Sequence, residues 1–251
     1  MAIITDDVVL GIIPARGGSR RVPRKNIKPL GNRPLVSWVI DAAKKSKALD
    51  YFLVSTNDDE IAEISRSYGA PVPFKRPEAL SEDVDSALVL KHALNWYEQK
   101  TGKTVSHVCC LQCTTPFTYS DDIDTCVRIA KSDPTIDTVF TVAKAKQHPY
   151  WMFVSTPFTH EVEPFCPEIR LEGENLVSQN LPLVWYPNGA VYVTRCDVIL
   201  NDRIFGKKLI AQYMPEIRSI DLEEPYDFIV ASAILKSGML KENMVSEWVI
   251  T

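Results

Sequence analysis

Between Arg16 and Lys25 the chain places five cationic side chains (Arg16, Arg20, Arg21, Arg24, Lys25) and no acid. Gly17 and Gly18 sit among them, and the apolar run Val8 to Ile13 leads into them. A strand that delivers a glycine-containing cationic loop suits a polyphosphate, because glycine lets backbone N–H groups approach the anion while the cations neutralise its charge. The whole chain carries a net charge of −4, so this basicity is local and needs a local explanation. Spacing alone also allows a solvated basic loop, a nuclear-localisation-like run (RRVPRK) or a minor nucleic-acid contact. The patterns GxxxxGK[ST] and GxGxxG are both absent, which argues against P-loop kinases and nicotinamide oxidoreductases.

A second chemical group is Asp221-Leu222-Glu223. Residues two apart at a strand end project to one face, so the two carboxylates can converge and suit Mg²⁺, which bridges carboxylates to substrate phosphates. Taken alone, the segment also reads as an acidic turn in which Glu223, Glu224 and Pro225 open the last helix. Beside a triphosphate loop the metal reading is preferred. Asn26 and Gln112 carry amides able to read a base or sugar edge. Arg76 suits a base, a phosphate or a surface acid, and His148, ahead of Pro149, reads as structural. Cys109, Cys110 and Cys113 form a CCLQC cluster without a second ligand pair at metal spacing, so they are expected in the core. No Ser-His-Asp arrangement or HExxH motif is present.

These groups need a scaffold. A 251-residue chain with 45% hydrophobic and 24% charged residues has the make-up of one globular α/β domain, 1–251. Apolar runs predict strands at Val8–Ile13, Tyr51–Thr56, Pro71–Phe74, His107–Gln112 and Asp137–Val142. Helical periodicity predicts helices over Pro34–Lys45, Asp58–Tyr68, Asp83–Tyr97 and Ser120–Lys131, with Asn57 and Asp58 capping the second and Gly69 stopping it. Alternation with short connections implies a mostly parallel sheet, with ligands at the carboxyl ends of its strands. The cationic loop follows the first strand and Gln112 to Pro116 follows the fourth, so both reach one edge. From about 144 to 187 the rhythm breaks into Pro, aromatic and polar residues, read as an inserted subdomain that covers the site or meets a second subunit. The core resumes at Asn188–Val193 and Ile217–Ile220, before a closing helix, Pro225–Leu235. The acidic balance argues against a general nucleic-acid or membrane-surface binder. The N-terminus lacks a signal-peptide layout and no apolar run reaches membrane-spanning length, so a cytoplasmic location is expected.

The segments ARGGSRRVPRKN, VSTNDDEIA (Val54–Ala62), FKRPEALSED (Phe74–Asp83), LQCTTPF (Leu111–Phe117), YPNGAVYV (Tyr186–Val193) and SIDLEEPYD (Ser219–Asp227), in this order and spacing, resemble the acylneuraminate (CMP-sialic acid) cytidylyltransferases. The resemblance implies a Rossmann-like sheet of the nucleotidyltransferase type, with the insertion serving dimerisation. It implies an enzyme that joins CTP to a nine-carbon keto sugar acid with Mg²⁺, releasing pyrophosphate, and that works as a homodimer. By matching position, Arg16, Arg20 and Lys25 would grip the triphosphate, with Arg16, Lys25 and Asp221 serving catalysis. The backbone of Ala15, Arg16, Gly17, Gly18 and Ser19, together with Asn26, Arg76 and Asp83, would hold the nucleotide. Asp221 and Glu223 would bind the metal. Gln112, Asn188 and Tyr192 would lie on the sugar side, with Phe205 matching an aromatic contributed by the second subunit. Glu223 stands where an aspartate is usual, and Cys113-Thr114-Thr115 replaces Pro-Thr-Ser. Tyr186 replaces an arginine, and Ser178–Pro182 lacks another. These departures widen the expected substrate from N-acetylneuraminate to legionaminate, pseudaminate or an amino-substituted relative. A 3-deoxy-manno-octulosonate cytidylyltransferase and an idle nucleotide-binding protein are the alternatives.

Overall fold

The computed structural model describes residues 7–81, 84–156, 159–167 and 177–240. Strand β1 (Val8–Pro14) is apolar along its length because it is buried on both faces, as central strands of parallel sheets are. Its side chains alternate: Val9 and Ile13 pack on one side of the sheet, Leu10 and Ile12 on the other. A short hairpin, β2 (Pro29–Leu30) and β3 (Arg33–Pro34), turns through Gly31 at φ +66°, a conformation glycine adopts without strain. Helix α1 (Leu35–Lys45) buries Val36, Val39 and Ile40. Strand β4 (Tyr51–Ser55) pairs with β1 in parallel. Helix α2 (Asp59–Ser67) is capped by Asp58, whose carboxylate accepts from the Ile61 N–H at 2.9 Å. Helix α3 (Ser86–Thr101) is capped by Asp85 and ends at Gly102, φ +69°. Strand β5 (Val105–Leu111), helix α4 (Ser120–Ser132) and strand β6 (Thr138–Lys144) follow.

Ala143–Tyr186 forms a compact unit of its own. It holds an antiparallel hairpin, β7 (Phe153–Ser155) and β8 (Val162–Pro164). His148 braces this unit: Nδ1 accepts from the Tyr150 N–H and Nε2 lies 3.2 Å from the Pro182 carbonyl oxygen. The main unit continues with β9 (Trp185–Arg195), α5 (Cys196–Leu200), β10 (Leu209–Tyr213) and α6 (Pro225–Ser237), which opens on Pro and closes on Gly238.

The sheet order is β10-β6-β9-β5-β1-β4. β1 is parallel to β4 and β5, and β10 to β6, while β9 runs antiparallel to β5. α1, α2 and α4 cover one face and α3 and α5 the other. This is the mostly parallel, helix-flanked sheet expected. Two local expectations fail. Pro71–Phe74 is not a strand; only Lys75 bridges to Thr56, because Pro71 and Pro73 lack the N–H groups a ladder needs. Ile217–Ile220 adds no strand either: Glu216–Arg218 is a 3₁₀ turn, and the sheet gains β10 instead. No helix among the described residues is long and apolar enough to cross a membrane.

Candidate active site

A cavity of about 700 Å³ opens where the loop after β1 meets the end of β5 and the start of α3. Arg16, Arg20, Arg21 and Lys25 line one wall. The loop is held by α2: the Gly17 N–H donates to Asn57 Oδ1 at 3.1 Å, and Arg24 turns away from the cavity to pair with Asp58 and Glu60. That turn puts Arg24 at φ +57°, and the paired guanidinium holds the Asp58 carboxyl below its usual range. A Cβ on Gly17 would stand 2.7 Å from Asp58 Oδ2, so glycine here permits a close approach to the α2 cap. Gly18 meets nothing within 4 Å in the same test. The Ala15 and Ser19 N–H groups also donate within the protein, to Ser55 and Gly17 carbonyls, so the wall's positive character comes chiefly from side chains. Asn26, nearly buried, donates from Nδ2 to the Arg16 carbonyl at 2.9 Å and sets the loop's shape.

Arg76 lies on the cavity wall, 4% exposed, donating to the Ser55 and Leu80 carbonyls. Burial, with Arg16 nearby, brings its guanidinium down to about 10, and it stays charged at neutral pH. Cys110 and Cys113 also reach the wall, yet burial pushes both thiols up to about 12. Neither is a ready thiolate at neutral pH, and both are buried in the core as expected.

The acidic segment is pinned opposite by Leu222, which is fully buried with Val22 of the cationic loop and Phe117, and whose N–H donates to the Thr114 carbonyl at 2.8 Å. The segment is not a strand, so Asp221 and Glu223 are placed by this anchoring rather than by strand alternation. Glu223 lines the cavity and pairs with Lys25 at 3.3 Å and Arg21 at 2.9 Å. Asp221 is mostly buried, and burial raises its pKa, with Glu223 adding to the effect and Thr114 and Lys25 opposing it. Asp221 Oδ1 and the neighbouring Thr114 hydroxyl are both buried without a hydrogen bond; Thr114 stands close enough to favour the ionised carboxylate, but its geometry closes no bond. An orphaned buried carboxylate oxygen is a costly arrangement unless a cation completes it. The donor set fits Mg²⁺, which takes one or two carboxylates and completes its shell with water and substrate phosphate. Among the described residues no cluster of three or more His, Cys, Asp or Glu forms a cage of its own.

On the sugar side the expectations divide. Gln112 lines the cavity, and its Oε1 lies 3.6 Å from where a Gly189 Cβ would stand, with Asp221 Oδ2 at 3.3 Å from the same point. Gly189 at φ +79° therefore lets β9 pass close to both. Asn188 is fully committed inside the protein: Oδ1 accepts from Thr141 Oγ1 and the Ala190 N–H, and Nδ2 donates to Ser219. Tyr192 stacks nearly parallel on Phe140 at 6.3 Å, with Phe205 edge-on at 5.8 Å. Burial pushes its phenol up to about 12. Phe205 thus packs against an aromatic of its own chain. Asp83 lies outside the described residues. Sequence reasoning missed Thr114, Val22 and Leu222, whose roles come from tertiary neighbours; Arg21 was visible only as one cation among five.

The comparisons with known proteins concern the family and the fold. Post-translational flagellin modification protein B of Campylobacter coli is 28% identical over 93% of this chain and 97% of its own. The CMP-N,N'-diacetyllegionaminic acid synthase of Legionella pneumophila is 29% identical over 91% of this chain and 96% of its own. Among solved structures, a CMP:2-keto-3-deoxy-manno-octonic acid synthetase complexed with CTP covers 92% of this chain and 99% of its own, with a TM-score of 0.67 and 15% identity, a likeness of fold. The cytidylyltransferase family matches residues 10–165. The chain is a nucleotidyltransferase and belongs to the cytidylyltransferase family.

Proposed function

We propose that the chain joins CTP to a nonulosonate-type keto sugar acid, of the sialic, legionaminic or pseudaminic kind, and releases pyrophosphate. The observation that carries this reading is one cavity lined by Lys25, Arg16, Arg20 and Arg21 together with Glu223 and Thr114, with Asp221 and its unpaired buried oxygen just behind Thr114. Relatives named for legionaminic and pseudaminic acid, the latter 42% identical over 45% of this chain, support the sugar class.

The anomeric hydroxyl attacks the α-phosphorus of CTP in line. A P–O bond forms to the sugar, the bond to the β-phosphate oxygen breaks, and the hydroxyl proton is lost as pyrophosphate departs. Lys25, Arg16 and Arg20 bind the triphosphate and balance the charge that develops on it, so catalysis is mainly positioning and electrostatic stabilisation. Asp221, with Glu223 beside it, would hold Mg²⁺, which when bound would neutralise phosphate charge and ease loss of the hydroxyl proton. Arg76, Asn26 and the loop backbone keep the nucleotide side in shape, and Gln112 orients the sugar. The active form is a homodimer built through the 143–186 unit, which leaves Trp151, Met152, Phe153, Val162, Phe165 and Leu183 exposed, more apolar surface than a small unit presents to water without a partner. The protein works in the cytoplasm, where its six free cysteines stay reduced.

The test is a panel of keto sugar acids, 3-deoxy-manno-octulosonate included, with each of the four nucleoside triphosphates and Mg²⁺, scored by pyrophosphate release. Release with CTP and a nonulosonate is expected. Release only with the eight-carbon acid, or CTP binding with no turnover on any acid, would contradict the proposal.

A further inference from the structure

Resting on the reading of the cavity as a CTP site, we infer that Glu223 is a positioning residue that holds Lys25 and Arg21 as an internal stand-in for phosphate and yields them to the triphosphate. Both of its oxygens already meet cations: Oε1 is 3.3 Å from Lys25 Nζ, and Oε2 accepts from Arg21 Nη1 at 2.9 Å. Glu223 is paired by the cradle, while Asp221, two residues earlier, keeps one buried oxygen with no hydrogen bond.

The Lys25 side chain is 11% exposed and that of Glu223 46%, so the lysine is the fixed member and the glutamate the one free to swing. Its backbone does not move with it. The Glu223 N–H donates to Asp227 Oδ2 at 2.8 Å, and Leu222 beside it is fully buried. A triphosphate reaching Lys25 must displace the carboxylate, because the two compete for the same ammonium. The released Glu223 then adds negative charge beside the phosphates, which disfavours free nucleotide and favours nucleotide accompanied by a divalent cation. Glu223 thereby sets a preference for the metal-bound nucleotide before any chemistry occurs.

The test reads CTP affinity by calorimetry, in EDTA and in Mg²⁺, for the wild type, Glu223→Gln, Lys25→Gln and the double variant. Glu223→Gln is expected to bind metal-free CTP about three- to fivefold more tightly than the wild type, the scale of a partly exposed ion pair. In the Lys25→Gln background the same change is expected to give a smaller gain, since only the Arg21 contact is then left to release. Arg21→Gln, at an exposed position, supplies a second background in which the gain must also shrink. An equal gain in every background would mean plain charge repulsion and overturn the pairing role, as would unchanged or weaker metal-free binding by Glu223→Gln. A wild type that fails to bind CTP even with Mg²⁺ would instead overturn the reading of the cavity; binding by the wild type with a flat response to Glu223→Gln sinks the exchange alone.

Discussion

Lys25 and Asp221 are both poorly hydrated, but only Lys25 has a partner in hand. Lys25→Ala is expected to lower kcat/KM by about 10²- to 10³-fold, the range for removing one preorganised charge from a transition state. Its melting temperature should stay within about 3 °C of the wild type, because the pair it breaks reaches a half-exposed glutamate. A near-normal rate would remove Lys25 from the mechanism. Asp221 shows the opposite trade. Its pKa is raised by burial, so the native state holds its proton to higher pH than the unfolded chain does. Below the ordinary carboxylate range both states are protonated and the group is neutral to stability. As pH rises, the unfolded chain ionises first and stability falls until Asp221 ionises too. Asp221→Asn is therefore expected to raise the melting temperature of the metal-free protein at pH 7 and to flatten this part of the pH dependence. It should also erase the stabilisation that Mg²⁺ with CTP gives the wild type; calorimetric scans across pH check both. The types and order of these residues were legible in the chain. Less legible was which partner each would take: Arg24 belongs to the same cationic run as Lys25 yet serves α2, and Asn188, an amide suited to a sugar, is spent on Thr141 and Ser219. Those choices depend on neighbours far away in sequence.

At the scale of elements, two apolar side chains decide whether the cationic loop meets the acidic segment at all. Val22 and Leu222 share one buried cluster with Phe117, so Arg21 beside Val22 and the Asp221 and Glu223 that flank Leu222 are brought together by packing. Leu222→Ala is expected to cost about 2–5 kcal/mol of stability, the range for a buried leucine truncation. Denaturant melts measure this, and weaker Mg²⁺-dependent CTP binding in the protein that still folds would show that Asp221 has shifted. Unchanged affinity would separate packing from site geometry. Gly17→Ala tests the other side of the loop: its Cβ would press on Asp58 Oδ2, pushing the loop off the α2 cap and weakening CTP binding, with little change at Gly18→Ala as the control. β1, α1, α2 and α4 were legible because their periods are clean and both faces of the sheet are covered. Pro71–Phe74 misled because an apolar run says nothing about missing ladder donors. The antiparallel β9 and the late strand β10 escaped because direction and pairing are set after the inserted unit, by contacts no local pattern carries.

For the whole molecule, the proposed dimer predicts that light scattering gives twice the chain mass and that Phe153→Asp with Phe165→Asp gives one chain mass with the main unit still folded. A wild type of single-chain mass would contradict it. Everything else depends on the cavity beside the loop after β1 being the seat of CTP, with its metal at Asp221. The most direct measurement is a crystal structure of the chain with CTP and Mg²⁺. The account predicts the triphosphate within hydrogen-bonding distance of Lys25 and a divalent ion bound to Asp221 Oδ1. A triphosphate seated elsewhere, with Lys25 still paired to Glu223 and the Asp221 oxygen still bare, would contradict it.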